Sequence, residues 1–138
     1  MTNHIVVKIG GSLLFTETGE IHTERLSQYS NVLTTLRKEG MKLCVVVGGG
    51  KVARNYIKVL HTFHTPEALC DMMGIRVSQI NALLLIAALG NVAYPYPPEN
   101  LHELANALTT DRVVVMGGLQ PGQSTNACLL YTSPSPRD

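Results

Sequence analysis

Three apolar runs in this chain each end on glycines. His4–Ile9 (HIVVKI) runs into Gly10-Gly11, Leu43–Val47 into Gly48-Gly49-Gly50, and Arg112–Met116 into Gly117-Gly118. Short β-branched runs stopped by glycine read as buried strands entering tight loops. The stretches between them carry helical periodicity. That alternation predicts an α/β fold: a largely parallel open sheet with helices on both faces. In such a sheet the carboxyl ends of the strands line the ligand crevice. Three glycine-rich turns at that edge therefore constrain both the fold and the place where chemistry occurs.

The helices can be placed coarsely. Thr23 reads as an N-cap with Glu24 in the first turn. Leu26, Tyr29, Val32, Leu33 and Leu36 follow at helical spacing, Arg37 and Lys38 suit the C-terminal dipole, and Gly40 suits the C′ position. A second helix follows Gly50 at once, with Val52, Tyr56, Val59, Leu60 and Phe63 on one face. Thr65-Pro66 predicts an N-cap followed by proline at the first position. That helix runs through Asp71 and, after a break near Gly74, continues to Leu89. Val92–Tyr94 reads as a further strand stopped by Pro95, Pro97 and Pro98. Leu101, Leu104, Ala105 and Leu108 mark a short amphipathic helix. The chain shows neither an internal repeat nor a domain linker.

Composition excludes several function classes. With 11 basic and 10 acidic residues the formal charge is +1, which leaves no strongly basic surface for nucleic acid and no acidic tail. An apolar content of 45% argues against disorder. The N-terminus lacks the basic and long apolar regions of a targeting signal. The uncharged stretch from Val77 to Pro98 has a solid apolar run only over Ala82–Leu89, well short of the ~20 residues of a membrane span. A buried core helix is expected there. Cys44, Cys70 and Cys128 have no CxxC spacing and read as reduced thiols of a cytoplasmic protein. His61 and His64, at i and i+3, read as surface residues lacking a third metal ligand.

Glycine lets backbone approach a ligand closely, and the amides of a following helix N-terminus attract anions, phosphate above all. Val45–Arg54 (VVVGGGKVAR) is such a strand–turn–helix. It is not a nucleotide P-loop: Val52 follows Lys51 where Ser or Thr is needed, and no earlier glycine has the right spacing. Gly48, Gly50 and Ala53 meet the GxGxxG/A pattern, but the acid expected at a later strand end is missing, since Asp71 falls on a predicted helix. Lys8, Arg54 and Asp71 lie near these turns in the pattern.

Four segments together carry a family resemblance: Val6–Ser12 (VVKIGGS), Val45–Arg54, Asp71–Ile75 (DMMGI) with Asn81-Ala82, and Met116–Thr125 (MGGLQPGQST). They resemble the amino acid kinase superfamily, and within it the archaeal type of uridylate kinase, over residues 4 to 127. The first segment is shared across the superfamily. The GGGKxAR turn, the helical Asp and the QPGQST loop are more specific. The resemblance implies transfer of the γ-phosphoryl group of ATP, bound with Mg2+, to the α-phosphate of UMP. Such transfer rests on positioning and on neutralising charge over the phosphoryl oxygens.

By this resemblance Lys8 is the catalytic lysine that stabilises the transferring group. Gly10, Gly11, Ser12 and Gly50 are ATP contacts. Arg54 is a phosphate-binding arginine grouped with them, its fork suited to the phosphates of either nucleotide. Gly49 contacts the acceptor phosphate, and Asp71 accepts hydrogen bonds from the UMP ribose hydroxyls. The loop of Leu119, Gln120, Pro121, Gly122, Gln123, Ser124 and Thr125 closes over UMP, with Thr125 the direct side-chain contact. The resemblance also implies a cytoplasmic homo-hexamer whose remaining half supplies most of the adenine and ribose pocket.

The tail Cys128–Asp138 (CLLYTSPSPRD) shares none of the preceding periodicity. It resembles an in-frame translation of a transposase sequencing adapter, so residues 1–127 are expected to be the native N-terminal part of a kinase domain. The competing readings are another phosphotransferase of the superfamily, such as an acetylglutamate or isopentenyl phosphate kinase, and a non-catalytic nucleotide-binding protein on the same fold.

Overall fold

The computed structural model describes residues 4–119. Its core is a parallel three-stranded sheet in the order β1-β2-β3, with β1 at His4–Ile9, β2 at Lys42–Val47 and β3 at Val114–Met116. The register runs from His4 opposite Lys42 to Ile9 opposite Val47, and from Cys44 opposite Val114 to Val46 opposite Met116. All three strands therefore deliver their glycines to the same edge.

Alternate residues of β2 face opposite sides, as the pleat requires. Leu43, Val45 and Val47 join Val113 and Val115 in a core covered by Leu26 and Leu33 of α1 (Thr23–Lys38) and Ala82, Leu85, Ile86 and Leu89 of α3 (Glu67–Leu89). Cys44 and Val46 join Val114 and Met116 under Leu104 and Ala107 of α4 (Leu101–Leu108). Helices thus cover both faces, as the apolar strands predict. The remaining helix, α2 (Gly50–Thr62), packs on α3 and on a 3₁₀ turn at Gly11–Leu14.

Local chemistry explains the element ends, and four expectations need correction. The first concerns α1. His22, not Thr23, caps this helix: its Nδ1 accepts the Arg25 amide at 3.1 Å, so Thr23 is already helical. At the other end Gly40, at φ +93°, donates to the Arg37 carbonyl while Met41 donates to that of Leu36. This is the C-terminal closure expected of a left-handed glycine.

Second, Thr65 donates to the Leu60 carbonyl and so belongs to the close of α2. Pro66 is then the cap of α3, its carbonyl accepting from Leu69 and Cys70. Third, α3 is unbroken at Gly74. It faces α2 without requiring glycine: a Cβ there would meet Ile57 Cδ1 at 3.5 Å, an ordinary contact, and the Gly74 carbonyl lies against Gly49. Fourth, Val92–Tyr94 supplies only a single parallel bridge, Ala93 with Val113, and β3 starts at Val114 rather than Arg112. A 3₁₀ turn at Gly90–Val92 leads straight into this bridge. The Arg112 side chain donates to the Asn91 carbonyl at 2.7 Å, and prolines follow Tyr94.

α3 is the one described helix long and apolar enough to cross a membrane by length and composition. In this fold it lies against α1, α2, β2 and β3.

Candidate functional site

The turns after β1 and β2 interlock. Ile9 and Val47 are in register, so both chains leave the sheet together, and Gly48 donates its amide to the Ile9 carbonyl at 3.0 Å. A Cβ on Gly11 would lie 2.2 Å from the Gly48 oxygen and 2.7 Å from the Gly49 carbonyl carbon. A Cβ on Gly50, whose φ is +63°, would lie 2.4 Å from the Ser12 amide nitrogen. Only glycine permits backbone to pass backbone this closely.

Gly49 caps α2 with no side chain of its own. Ser12 supplies the missing group from across the gap: its Oγ accepts the Lys51 amide at 2.9 Å. Arg54, in the first turns of α2, brings Nη2 to 3.5 Å from the same Oγ. A helix N-terminus, a hydroxyl and a guanidinium thus converge on one spot, an arrangement that favours an anion. Beside it a groove of about 270 Å³ opens between the 3₁₀ turn and α2, lined in part by Ser12, Lys51 and Asn55.

The third glycine turn meets α3. Gly118 donates its amide to Ser78 Oγ at 2.7 Å and accepts from Gln79 Nε2 at 3.0 Å. Asn81, one turn on, donates from Nδ2 to the Gly48 and Gly49 carbonyls at 3.0 and 3.3 Å. In the sequence, Ser78 and Gln79 read only as polar flanks of an apolar run. Asn81 reads as another such flank and as part of the family resemblance. The available signal was their place inside a helix that otherwise needs to be apolar: buried polar side chains have partners.

The other expected site residues fall around this edge. Lys8 is exposed and paired in register with Val46, which puts its side chain on the α4 side of the sheet, across from α3. Asp71 is exposed on α3. At about 100° per residue, Asp71 points between the Gly74–Asn81 row, which meets the second glycine turn, and the Ile75–Gln79 row, which meets the third. Neither the Lys8 nor the Asp71 side chain makes a hydrogen bond or ion pair with another described residue. Gly10 is exposed and leads into the 3₁₀ turn. Leu119 is fully buried under α4. Gln120, Pro121, Gly122, Gln123, Ser124 and Thr125 lie outside the described residues.

His61 pairs with Glu67, Nε2 to Oε1 at 3.3 Å, across the α2–α3 connection, and both it and His64 are exposed. His61, Glu67 and Cys70 bring their ligand atoms within 4.8 Å of one another, a group that leaves out His64 and adds two donors that the spacing of the histidines did not reveal. Burial pushes the Cys70 thiol up, helped by the negative charges of Glu67 and Asp71.

The fold and this edge define a class: an α/β protein with an anion-attracting crevice made of glycine turns and one helix N-terminus. The chain belongs to the amino acid kinase family, whose profile matches residues 3–132. It is 47% identical to the uridylate kinase of Methanothermobacter thermautotrophicus over 123 residues, which are 89% of this chain and 53% of that protein. It is 43% identical to the uridylate kinase of Methanosarcina mazei over 89% of this chain and 51% of the relative. The crystal structure of uridylate kinase from Archaeoglobus fulgidus superposes with a TM-score of 0.74 at 36% identity, over 88% of this chain and 54% of that one. The chain therefore spans about half the length of the curated relatives it matches.

Proposed function

We propose that the chain is the N-terminal part of a UMP kinase that transfers the γ-phosphoryl group of ATP to UMP, giving UDP for pyrimidine nucleotide synthesis. The observation that carries this reading is the interlocked turn pair, with Ser12 and Arg54 at the head of α2. It is supported by 47% identity to a protein named uridylate kinase. In this reading Gly10, Gly11, Ser12 and Gly50 hold ATP phosphates, and Gly49 meets the acceptor phosphate. Arg54 bridges phosphate oxygens, which its planar fork suits.

Lys8 reaches over the sheet edge to neutralise charge on the transferring group, a role that stabilises the transition state more than the ground state. Asp71 accepts from the ribose hydroxyls of UMP. Leu119 anchors the loop through Thr125 that closes over it. The crevice offers amides, a hydroxyl and cationic side chains. That donor set suits phosphate oxygens, and in this reading Mg2+ arrives bound to ATP. In the same reading the enzyme is a cytoplasmic homo-hexamer, residues 1–127 are native, and residues 128–138 are an adapter translation that the source locus beyond codon 127 would replace.

The test is an assay of the complete reading frame with ATP-Mg2+ against UMP, CMP, carbamate and isopentenyl phosphate. Turnover selective for UMP is expected, and turnover of another acceptor, or nucleotide binding without turnover, overturns the reading. In that enzyme Lys8→Ala should lower kcat by about 100-fold or more with little change in either KM; an unchanged kcat removes Lys8 from catalysis. Asp71→Asn should raise KM for UMP about tenfold, the scale of one lost hydrogen bond to a charged group, and leave that for ATP alone. Equal shifts in both would reject its ribose role.

A further inference from the structure

We propose that Ser78 and Asn81 are positioning residues, with Gln79 completing the grip of Ser78: one helix, α3, sets both the glycine turn after β2 and the direction in which residues 117–119 leave β3. The acceptor-specific part of this inference rests on the UMP kinase reading; the geometric part stands without it.

Ser78, Gln79 and Asn81 are the buried polar residues of the described structure, at 4%, 8% and 2% exposure. Burying such groups costs free energy unless each is bonded, so an apolar helix that carries three of them is using them. Ser78 is satisfied as a relay. Its hydroxyl donates to the Ile75 carbonyl at 2.7 Å and accepts the Gly118 amide at 2.7 Å. Gln79 donates to the carbonyl of that same Gly118 and accepts from Arg76 Nη1 at 3.3 Å. Arg76 is in turn held by Glu99 at 3.0 Å. Consecutive residues of α3 thus hold Gly118 by both its N–H and its C=O.

Gly117 fits because a Cβ there would lie 2.5 Å from Ser78 Oγ. Leu119 is buried immediately after. The chain therefore leaves β3 along one fixed direction before the loop starts. Asn81 does the corresponding work for the second turn: its amide spans two successive carbonyls, Gly48 and Gly49. The Gly49 carbonyl also accepts the Ala53 amide of α2, so Asn81 fixes the first peptide units of the helix whose N-terminus faces the crevice. Ser78 and Asn81 are three residues apart on one rigid helix, a rise of about 4.5 Å. α3 thus adds a second constraint on the spacing between the two turns, beside the pairing of β2 with β3.

The test separates this from general stability. Amide hydrogen exchange is measured on the full 138-residue chain and on its Ser78→Ala and Asn81→Leu variants; the leucine fills the space of Asn81 without a donor. Ser78→Ala should speed exchange at Gly118 about tenfold and leave Lys51 and Ala53 within about twofold, and Asn81→Leu should do the reverse. Equal acceleration at all three amides in either variant, or none at any, overturns the proposal. In the complete kinase, Ser78→Ala should raise KM for UMP about tenfold with KM for ATP within about twofold. Equal shifts for both substrates overturn the acceptor-specific part. Should the parent enzyme fail to turn over UMP, the UMP kinase reading falls, and exchange alone decides the positioning claim.

Discussion

The first two glycine turns and the third are held in place by different means. At Gly11 and Gly50 the first two turns lock backbone against backbone, and the nearest atoms that a Cβ would violate are carbonyl and amide atoms. The Gly117-Gly118 turn is gripped mostly by side chains of a helix. Backbone contacts cannot be repacked, because neither partner has a rotamer to change. Side-chain grips can give a few tenths of an ångström. Gly11 and Gly50 should therefore be nearly intolerant of change and Gly118 adjustable, while Gly117, whose Cβ would meet the Gln79 nitrogen and the Ser78 carbonyl carbon at 2.6 Å, should behave like the first pair.

Alanine substitutions make this difference measurable by urea denaturation. Gly11→Ala should cost the most, roughly 3 kcal/mol, since its Cβ would meet the Gly48 oxygen at 2.2 Å with nothing able to move. A loss below that of Gly118→Ala would break the comparison. Gly118→Ala should cost about 1 kcal/mol, because its nearest neighbour is Ile75 Cγ1 at 2.9 Å, part of a side chain that can shift. Gly10→Ala should change stability by no more than ~0.5 kcal/mol. Gly10 sits at φ −63° with nothing within 4 Å of its Cβ position. Adjacent glycines with opposite outcomes would sharpen the point that close approach, not glycine content, rigidifies the edge.

Much of this was legible in the chain itself. The His4–Ile9 strand, the Leu101–Leu108 helix and the glycine edge follow from apolar runs and their stops, because the burial that makes them is periodic. Gly74 misled because a helix glycine read alone signals a break, whereas the packing of α3 against α1 and α2 carries the helix through it. The apolar stripe of α2 shares one face as its spacing predicts, but that face is largely uncovered. Tyr56 and Val59 are each 53% exposed and Phe63 73%, while Ala53 is buried and Ile57 faces Gly74 of α3. Periodicity finds a stripe but does not say what covers it. Ser78 and Gln79 were passed over because their partner is a distant backbone peptide, which leaves no pattern in sequence.

The Ser12 hydroxyl that caps α2 comes from 39 residues away. That cap therefore exists only where β1 is paired with β2 across the intervening helix, although the first turn of α2 also closes locally from the Ala53 amide to the Gly49 carbonyl. An anion held there binds only the finished structure, so its effect on melting temperature would grow with concentration, as mass action requires of a native-state ligand.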